Sequence, residues 1–272
     1  MPLSHVAVLA LLQGLTETLP MSRSGHAVVA RLWLDAGAPA SALEAVLHLG
    51  IALAFVVVAR RRLFGALGEG VRAVARPSLL RGSTSAHDAV VLAVGGTVSL
   101  IAAALTAPRV EMWRESPTAT GVGLCVTSLA LASTALIPRY ASGRVVAAPS
   151  LAGVVVVGLA HGLAIFPGAS SVGAALTVLL WMGVKPGRAV DLAFLLTVPA
   201  LLVSFARGAF GRAALDTGTV ALGLVLVFVS AAVASEVLRS LTERRRLAAL
   251  SLWTLPLGLA MLAYARALPL PS

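Results

Sequence analysis

The chain is short of charge. Only 12% of its 272 residues are Asp, Glu, Lys or Arg, against 58% hydrophobic, and its mean hydropathy is +0.95. Soluble globular domains carry about one quarter charged residues, so the composition excludes that class and points to a polytopic membrane protein. Lysine is nearly missing: Lys185 stands alone, and the net charge of +10 is an arginine charge. Those arginines cluster between apolar segments, the pattern of loops on the cytoplasmic side of a bilayer, so a nucleic-acid partner is not expected. Cysteine is limited to Cys125, in an apolar run, which excludes an intramolecular disulfide. The start of the chain lacks a basic n-region, and its apolar run leads into polar Thr16, Glu17, Ser22 and Arg23, so a cleaved signal peptide is not expected.

Against this background one stretch stands out. Residues 13–26, QGLTETLPMSRSGH, put Glu17, Arg23, Ser22, Ser24 and His26 beside two glycines. Ionisable groups inside a membrane are costly and mark function by default. A paler copy follows at 161–173, HGLAIFPGASSVG. Pro20, Ser22 and Gly25 match Pro167, Ser170 and Gly173 with one inserted residue, and Gly14-Leu15 matches Gly162-Leu163.

Residues 3–15 are apolar but reach only about 20 Å, too short for a hydrocarbon core of about 30 Å. Pro20 and Gly25 break the helix before a second short run at 27–34. This pattern predicts a re-entrant hairpin, and 150–166 with 173–183 predict a second around Pro167-Gly168. Full crossings are predicted at 42–59, 86–107, 118–137, 189–206, 218–238 and 248–266. The fold class is therefore all-α, with six transmembrane helices plus two re-entrant helical hairpins. Residues 1–145 and 146–272 form two repeats of one hairpin and three crossings each, and an odd number of crossings inverts one repeat relative to the other. The arginine loops at 60–81, 139–144 and 239–246 share one face, which the positive-inside rule makes cytoplasmic. Arg109 and Arg114, offset by Glu111 and Glu115, fall on the other face, and both termini lie outside. His87 and Asp88 sit at a span boundary and read as interfacial, and Trp33, Trp113, Trp181 and Trp253 as interface anchors or core.

Gly25 and Gly173 are predicted to stand just before new half-helices, whose opening amides hold anions, phosphate above all. Ser22, Ser24, Ser170 and Ser171 add hydroxyl donors and Arg23 a phosphate-matching fork. Glu17 beside a phosphate implies a bridging divalent cation, Mg²⁺ or Ca²⁺, and His26 is the expected base or nucleophile. Glu44 and His48, one turn apart on one face, and His161 are weaker candidates.

At these residues the chain resembles the bacitracin-resistance type of undecaprenyl-diphosphatase. That family's first motif runs approximately E-G-x-x-E-F-L-P-x-S-S-T-G-H, and residues 13–26 follow it with Gln13 in place of the first glutamate and Arg23 in place of a serine. Its second, approximately P-G-x-S-R-S-G, is matched by Pro167-Gly168-Ala169-Ser170-Ser171-Val172-Gly173, with Ser171 where the family has arginine. Phe194-Leu195-Leu196 and Pro199 follow, as in the family, and Leu47-His48-Leu49-Gly50 resembles a segment that there carries Gln before the glycine. Arg23 and Ser171 occupy matching places in the two repeats, which suggests that the phosphate-binding arginine has moved to the other hairpin. The resemblance implies hydrolysis of undecaprenyl diphosphate to the monophosphate and phosphate in a bacterial-type plasma membrane, with the site opening outward. It implies Glu17 as metal ligand, His26, Arg23, Ser22 and Ser24 as catalytic, and Gly25, Ser170, Ser171, Gly173 and Gln13 as phosphate-binding. Expected partners are the polyprenyl diphosphate and membrane lipid, with a homodimer as the assembly to test. The competing expectation is a lipid-phosphate flippase, since inverted repeats around a midplane anion site also suit alternating access.

Overall fold

The computed structural model describes residues 2–34, 41–76, 78, 83–137, 146, 148–209 and 215–267. Among these the regular structure is helical: α1 (Leu3–Thr18), α2 (Arg23–Leu34), α3 (Ser41–Val58), α4 (Arg60–Ala75), α5 (Thr84–Val90), α6 (Gly96–Val110), α7 (Pro117–Ser133), α8 (Leu151–Leu163), α9 (Ser171–Trp181), α10 (Pro186–Ala209), α11 (Thr217–Glu243) and α12 (Ser251–Ala267). Five apolar helical runs are long enough to cross a bilayer, Thr84–Trp113, Pro117–Leu136, Pro186–Gly208, Thr217–Glu243 and Leu247–Ala267. The sixth expected crossing is α3, which continues into α4 after a bend of 86° at Ala59. The chain is a multi-pass, all-helical membrane protein.

The two short helix pairs arise where the sequence interrupts its own periodicity. α1 is about 24 Å long at the standard rise, and Pro20 prevents its continuation. Ser22 then takes φ +73°, and the chain re-enters a helix at Arg23. At the second break Gly168, at φ +81°, reverses the chain, and Ser170 caps α9. A side chain there would collide with neighbouring backbone as well as being strained: a Cβ on Gly168 would lie 2.6 Å from the Leu124 amide nitrogen.

The starting points differ from the sequence expectation. Gly25 and Gly173 do not precede their helices; each is the third residue within one, and its amide donates to the capping serine, to Ser22 Oγ and Ser170 Oγ, at 3.1 Å in both cases. The side-chain oxygen thus satisfies an amide that an anion was expected to occupy.

Two further corrections concern the arginine-rich face. The segment expected to be a loop after residue 59 is helical, because Leu, Ala and Arg favour helix and their apolar members recur on two faces. Leu63 and Ala66 are buried while Phe64, Leu67, Val71 and Val74 are exposed, as suits a helix lying in a membrane interface. Asp88 is buried rather than interfacial, at 1% exposure, and pairs with Arg188 and with Arg62 Nη1 at 3.6 Å. Asp191 likewise pairs with Arg62 and with Arg239 Nη2, the latter at 2.7 Å. These ion pairs tie α4 and α5 to α10 and α11. Of the other arginines used for orientation, Arg81, Arg139 and Arg144 lie outside the described residues, as does the side chain of Trp33.

The helices pack in pairs: α1 on α11, α8 on α6, α3 on α10, and α7 on α12. α10 is the most buried of the long runs, and Phe194 on it stacks on Phe55 of α3 with centroids 4.2 Å apart. Glycine makes the tightest crossings possible. A Cβ on Gly158 would lie 2.6 Å from the Gly95 carbonyl oxygen, and one on Gly162 would lie 2.9 Å from the Ser99 carbonyl carbon. The pair Gly158 and Gly162, four residues apart on α8, is the small-residue spacing that lets membrane helices approach backbone to backbone.

Candidate active site

The two helix breaks touch. Ser24 Oγ, on the second residue of α2, accepts from the Gly168 amide at 3.1 Å, and Thr127 of α7 donates to the Gly168 carbonyl at 3.0 Å. Between the breaks, α3, α6 and α10 enclose a cavity of about 180 Å³. Its polar lining includes Glu17, Arg23, Ser24, Ser170 and Ser171 from the two stretches singled out in the sequence. A larger space of about 390 Å³ shares Arg23, Ser24 and His48 with it and extends to Arg31, Glu44 and Arg114.

Glu17 and Arg23 form an ion pair, Nε to Oε2 at 2.8 Å, with side chains 14% and 27% exposed. α1 ends one residue after Glu17 and α2 starts at Arg23, so the break itself brings the two together. A guanidinium has five N–H donors and the pair uses one, leaving its terminal nitrogens available to an anion. Ser171 lies across the same cavity, so the two places between which the sequence suggests an exchange of arginine do face one space.

Gln13, Ser22, Gly25, His26 and Gly173 are not in the cavity lining. Gln13 is 9% exposed on α1, and its Nε2 has no hydrogen-bond partner among the described residues. Ser22 is fully buried as a cap, and Gly173 borders an adjoining apolar groove. His26, expected as base or nucleophile, lies outside the cavity lining with both ring nitrogens bonded. Its Nδ1 lies 2.9 Å from the Ser22 carbonyl, which can only accept, and its Nε2 lies 2.8 Å from Trp253 Nε1, which can only donate. Both ring nitrogens are therefore engaged, in a neutral imidazole held against α12.

Other polar groups at the cavity were missed or given little weight. His161 joins Ser99 Oγ through Nδ1 at 2.7 Å and Thr197 Oγ1 through Nε2 at 3.0 Å, and all three line the cavity. His48 borders both spaces, while Glu44 is drawn to Arg114 at 3.4 Å. Arg207, near the end of α10, also borders both and has no ion-pair partner among the described residues. Its signal in the sequence was a lone arginine closing an apolar run.

A polar cavity lined by a guanidinium and a carboxylate, set between two interrupted helix pairs inside a bundle of apolar crossings, defines an integral-membrane protein with a charge-lined internal site. The comparisons specify the family. The family described as bacitracin resistance protein BacA matches residues 6–260, and the chain belongs to it. It is 31% identical to the undecaprenyl-diphosphatase of Korarchaeum cryptofilum, over 97% of this chain and 99% of that one. It is likewise 31% identical to that of Geobacter sulfurreducens, over 97% and 98%, and 32% identical to that of Desulfosudis oleivorans, over 88% and 90%.

Proposed function

We propose that the protein hydrolyses undecaprenyl diphosphate to undecaprenyl phosphate and inorganic phosphate, recycling a cell-wall lipid carrier. The observation that carries this reading is the Arg23–Glu17 pair on the same cavity as Ser170 and Ser171, in a chain whose full-length relatives bear that name. Arg23, Ser24, Ser170 and Ser171 hold the diphosphate, and Arg23 stabilises the charge that develops as the phosphoryl group transfers. Arg207 adds a second cation. Two helix breaks packed tip to tip, together with the matched pairs α1 on α11 and α8 on α6, support residues 1–145 and 146–272 as inverted repeats with re-entrant hairpins. The site then opens outward through the space bordered by Arg31 and Arg114, in a bacterial-type plasma membrane with both termini outside.

Among the described residues no three His, Cys, Asp or Glu side chains form a group able to hold a metal. Glu17 is the carboxylate at the cavity, and Gln13, one helical turn before it, is neutral and outside the lining. That donor set fits a divalent cation whose remaining ligands are diphosphate oxygens, the usual manner for Mg²⁺ at phosphates. Such an ion would neutralise phosphate charge when bound. Glu17 would hold it, in exchange for part of its contact with Arg23.

Purified protein in micelles, given a polyprenyl diphosphate with Mg²⁺ or Ca²⁺, is expected to release phosphate. Glu17→Ala should lower that rate about 10²-fold or more. Equal rates for the two proteins, or no release by the wild type, would reject the reading, and the micelle's protein mass distinguishes a monomer from a homodimer.

The lipid tail has a place as well. An apolar groove of about 370 Å³ between α7, α8 and α9 is bordered by Val126, Ala160, Phe166 and Ala174 and shares Ala169 and Ser170 with the polar cavity. A headgroup in the cavity can therefore leave its first isoprene units in the groove. Ala160→Trp, filling the groove, should raise KM for a long-chain diphosphate about tenfold while leaving turnover of a short, water-soluble diphosphate unchanged.

A further inference from the structure

His26 does not border the cavity, but His161 does, and the geometry there offers a proton acceptor together with a nucleophile. Thr197 Oγ1 donates to the Ala193 carbonyl at 2.8 Å, which uses its single proton. It can therefore only accept from His161, so Nε2 carries the ring proton and Nδ1 presents a lone pair. The partner of that lone pair is Ser99 Oγ at 2.7 Å, which must be the donor. Serine hydroxyl to imidazole, with the imidazole oriented by a third group, is the arrangement of an activated nucleophile.

The backbone is shaped to place these groups. Ser99 follows a π-helical turn, Val91–Gly95, whose wider winding changes the face that α6 presents to α8. Gly158 and Gly162 bracket His161 and allow α8 to sit directly on Gly95 and Ser99. Ser99, His161 and Thr197 are 2%, 3% and 2% exposed, so bulk water does not compete for their hydrogen bonds. They nevertheless border the cavity that holds Glu17 and Arg23.

We propose that Ser99 is the nucleophile of the reaction, His161 its general base, and Thr197 the positioning residue. This inference rests on the phosphatase reading given above. In the first step Ser99 Oγ bonds to the terminal phosphorus while its proton passes to His161 Nδ1. The bond from that phosphorus to the bridging oxygen breaks, and the lipid monophosphate leaves with the electron pair. In the second step water bonds to phosphorus and keeps both hydrogens on the departing dihydrogen phosphate. The bond between Ser99 Oγ and phosphorus breaks, and His161 returns its proton to the serine.

The hydrogen bond between α6 and α8 could by itself be a packing device, and one substitution separates the two roles. In His161→Gln the side-chain amide can still donate to Thr197 and its carbonyl can still accept from Ser99, but no basic nitrogen remains. His161→Gln and Ser99→Ala should each lower phosphate release about 10²-fold or more, with the melting temperature in detergent unchanged for the glutamine variant. Thr197→Val should lower release and Thr197→Ser restore it. Acid quenching during turnover of substrate labelled in its terminal phosphate should place the label on the peptide containing Ser99. A wild type that releases phosphate while either Ser99→Ala or His161→Gln keeps its full rate overturns this assignment alone, as does label on a different serine. A wild type that releases none overturns it together with the phosphatase reading.

Discussion

Arg23→Ser is expected to lower phosphate release about 10³-fold, near the lower end of what a charge-stabilising arginine contributes to phosphoryl transfer. The loss should stop there because Arg207 remains at the same cavity and keeps a cation within it. Two features make Arg23 the sensitive position. Its guanidinium is anchored by one nitrogen to Glu17, so the rest of the fork is pre-oriented and little ordering is needed when an anion arrives. It also borders both the inner cavity and the outer space, so it meets the headgroup on entry and at reaction. The double variant Arg23→Ser with Ser171→Arg should recover part of the lost rate, since residue 171 borders the same cavity from the opposing break. Steady-state release by the three proteins decides the matter. A single variant with normal turnover would show that the guanidinium does not meet the transferring phosphoryl group.

The second large effect falls on stability, at the opposite end of α10. Asp88→Ala removes the carboxylate paired with Arg188, and both side chains are nearly enclosed, at 1% and 7% exposure. Removing one member of a buried pair typically costs about 3–5 kcal/mol, because the surviving charge stays desolvated. For a chain of this size that corresponds to a fall of about 10 °C in melting temperature. Activity per folded molecule at low temperature should be retained, because Arg188 and Arg207 are about 28 Å apart along their shared helix. A melting temperature within about 2 °C of the wild type would show that the pair contributes little.

The cavity was legible in the sequence to the extent that its signals were local. Glu17, Arg23 and Ser24 stand close together in an apolar chain, and Pro20 and Gly168 mark the breaks that bring them near Ser170 and Ser171. The all-helical, membrane-crossing class followed from hydropathy alone. What escaped was set by partners distant in the chain. Nothing near residue 26 announces an indole at residue 253, so the contact between the two rings is not readable from the sequence. The His161 pairings span 62 and 36 residues, and no periodicity encodes them. Asp88 looked interfacial because its neighbours are polar, and only the fold places Arg188 over it. The run after residue 59 was read as a loop because its arginines, a sign of the cytoplasmic side, masked a second periodicity that α4 uses.

The bond from Trp253 to His26 fastens the second helix of the protein to the twelfth, across 227 residues. During synthesis the N-terminal hairpin emerges first, with its imidazole lacking this partner. The latch can close only when the final crossing has left the ribosome and entered the bilayer. The tip carrying Glu17 and Arg23 has a second tie, from Ser24 to Gly168, whose partner is made earlier, so the cavity lining can form before the last crossing anchors the imidazole.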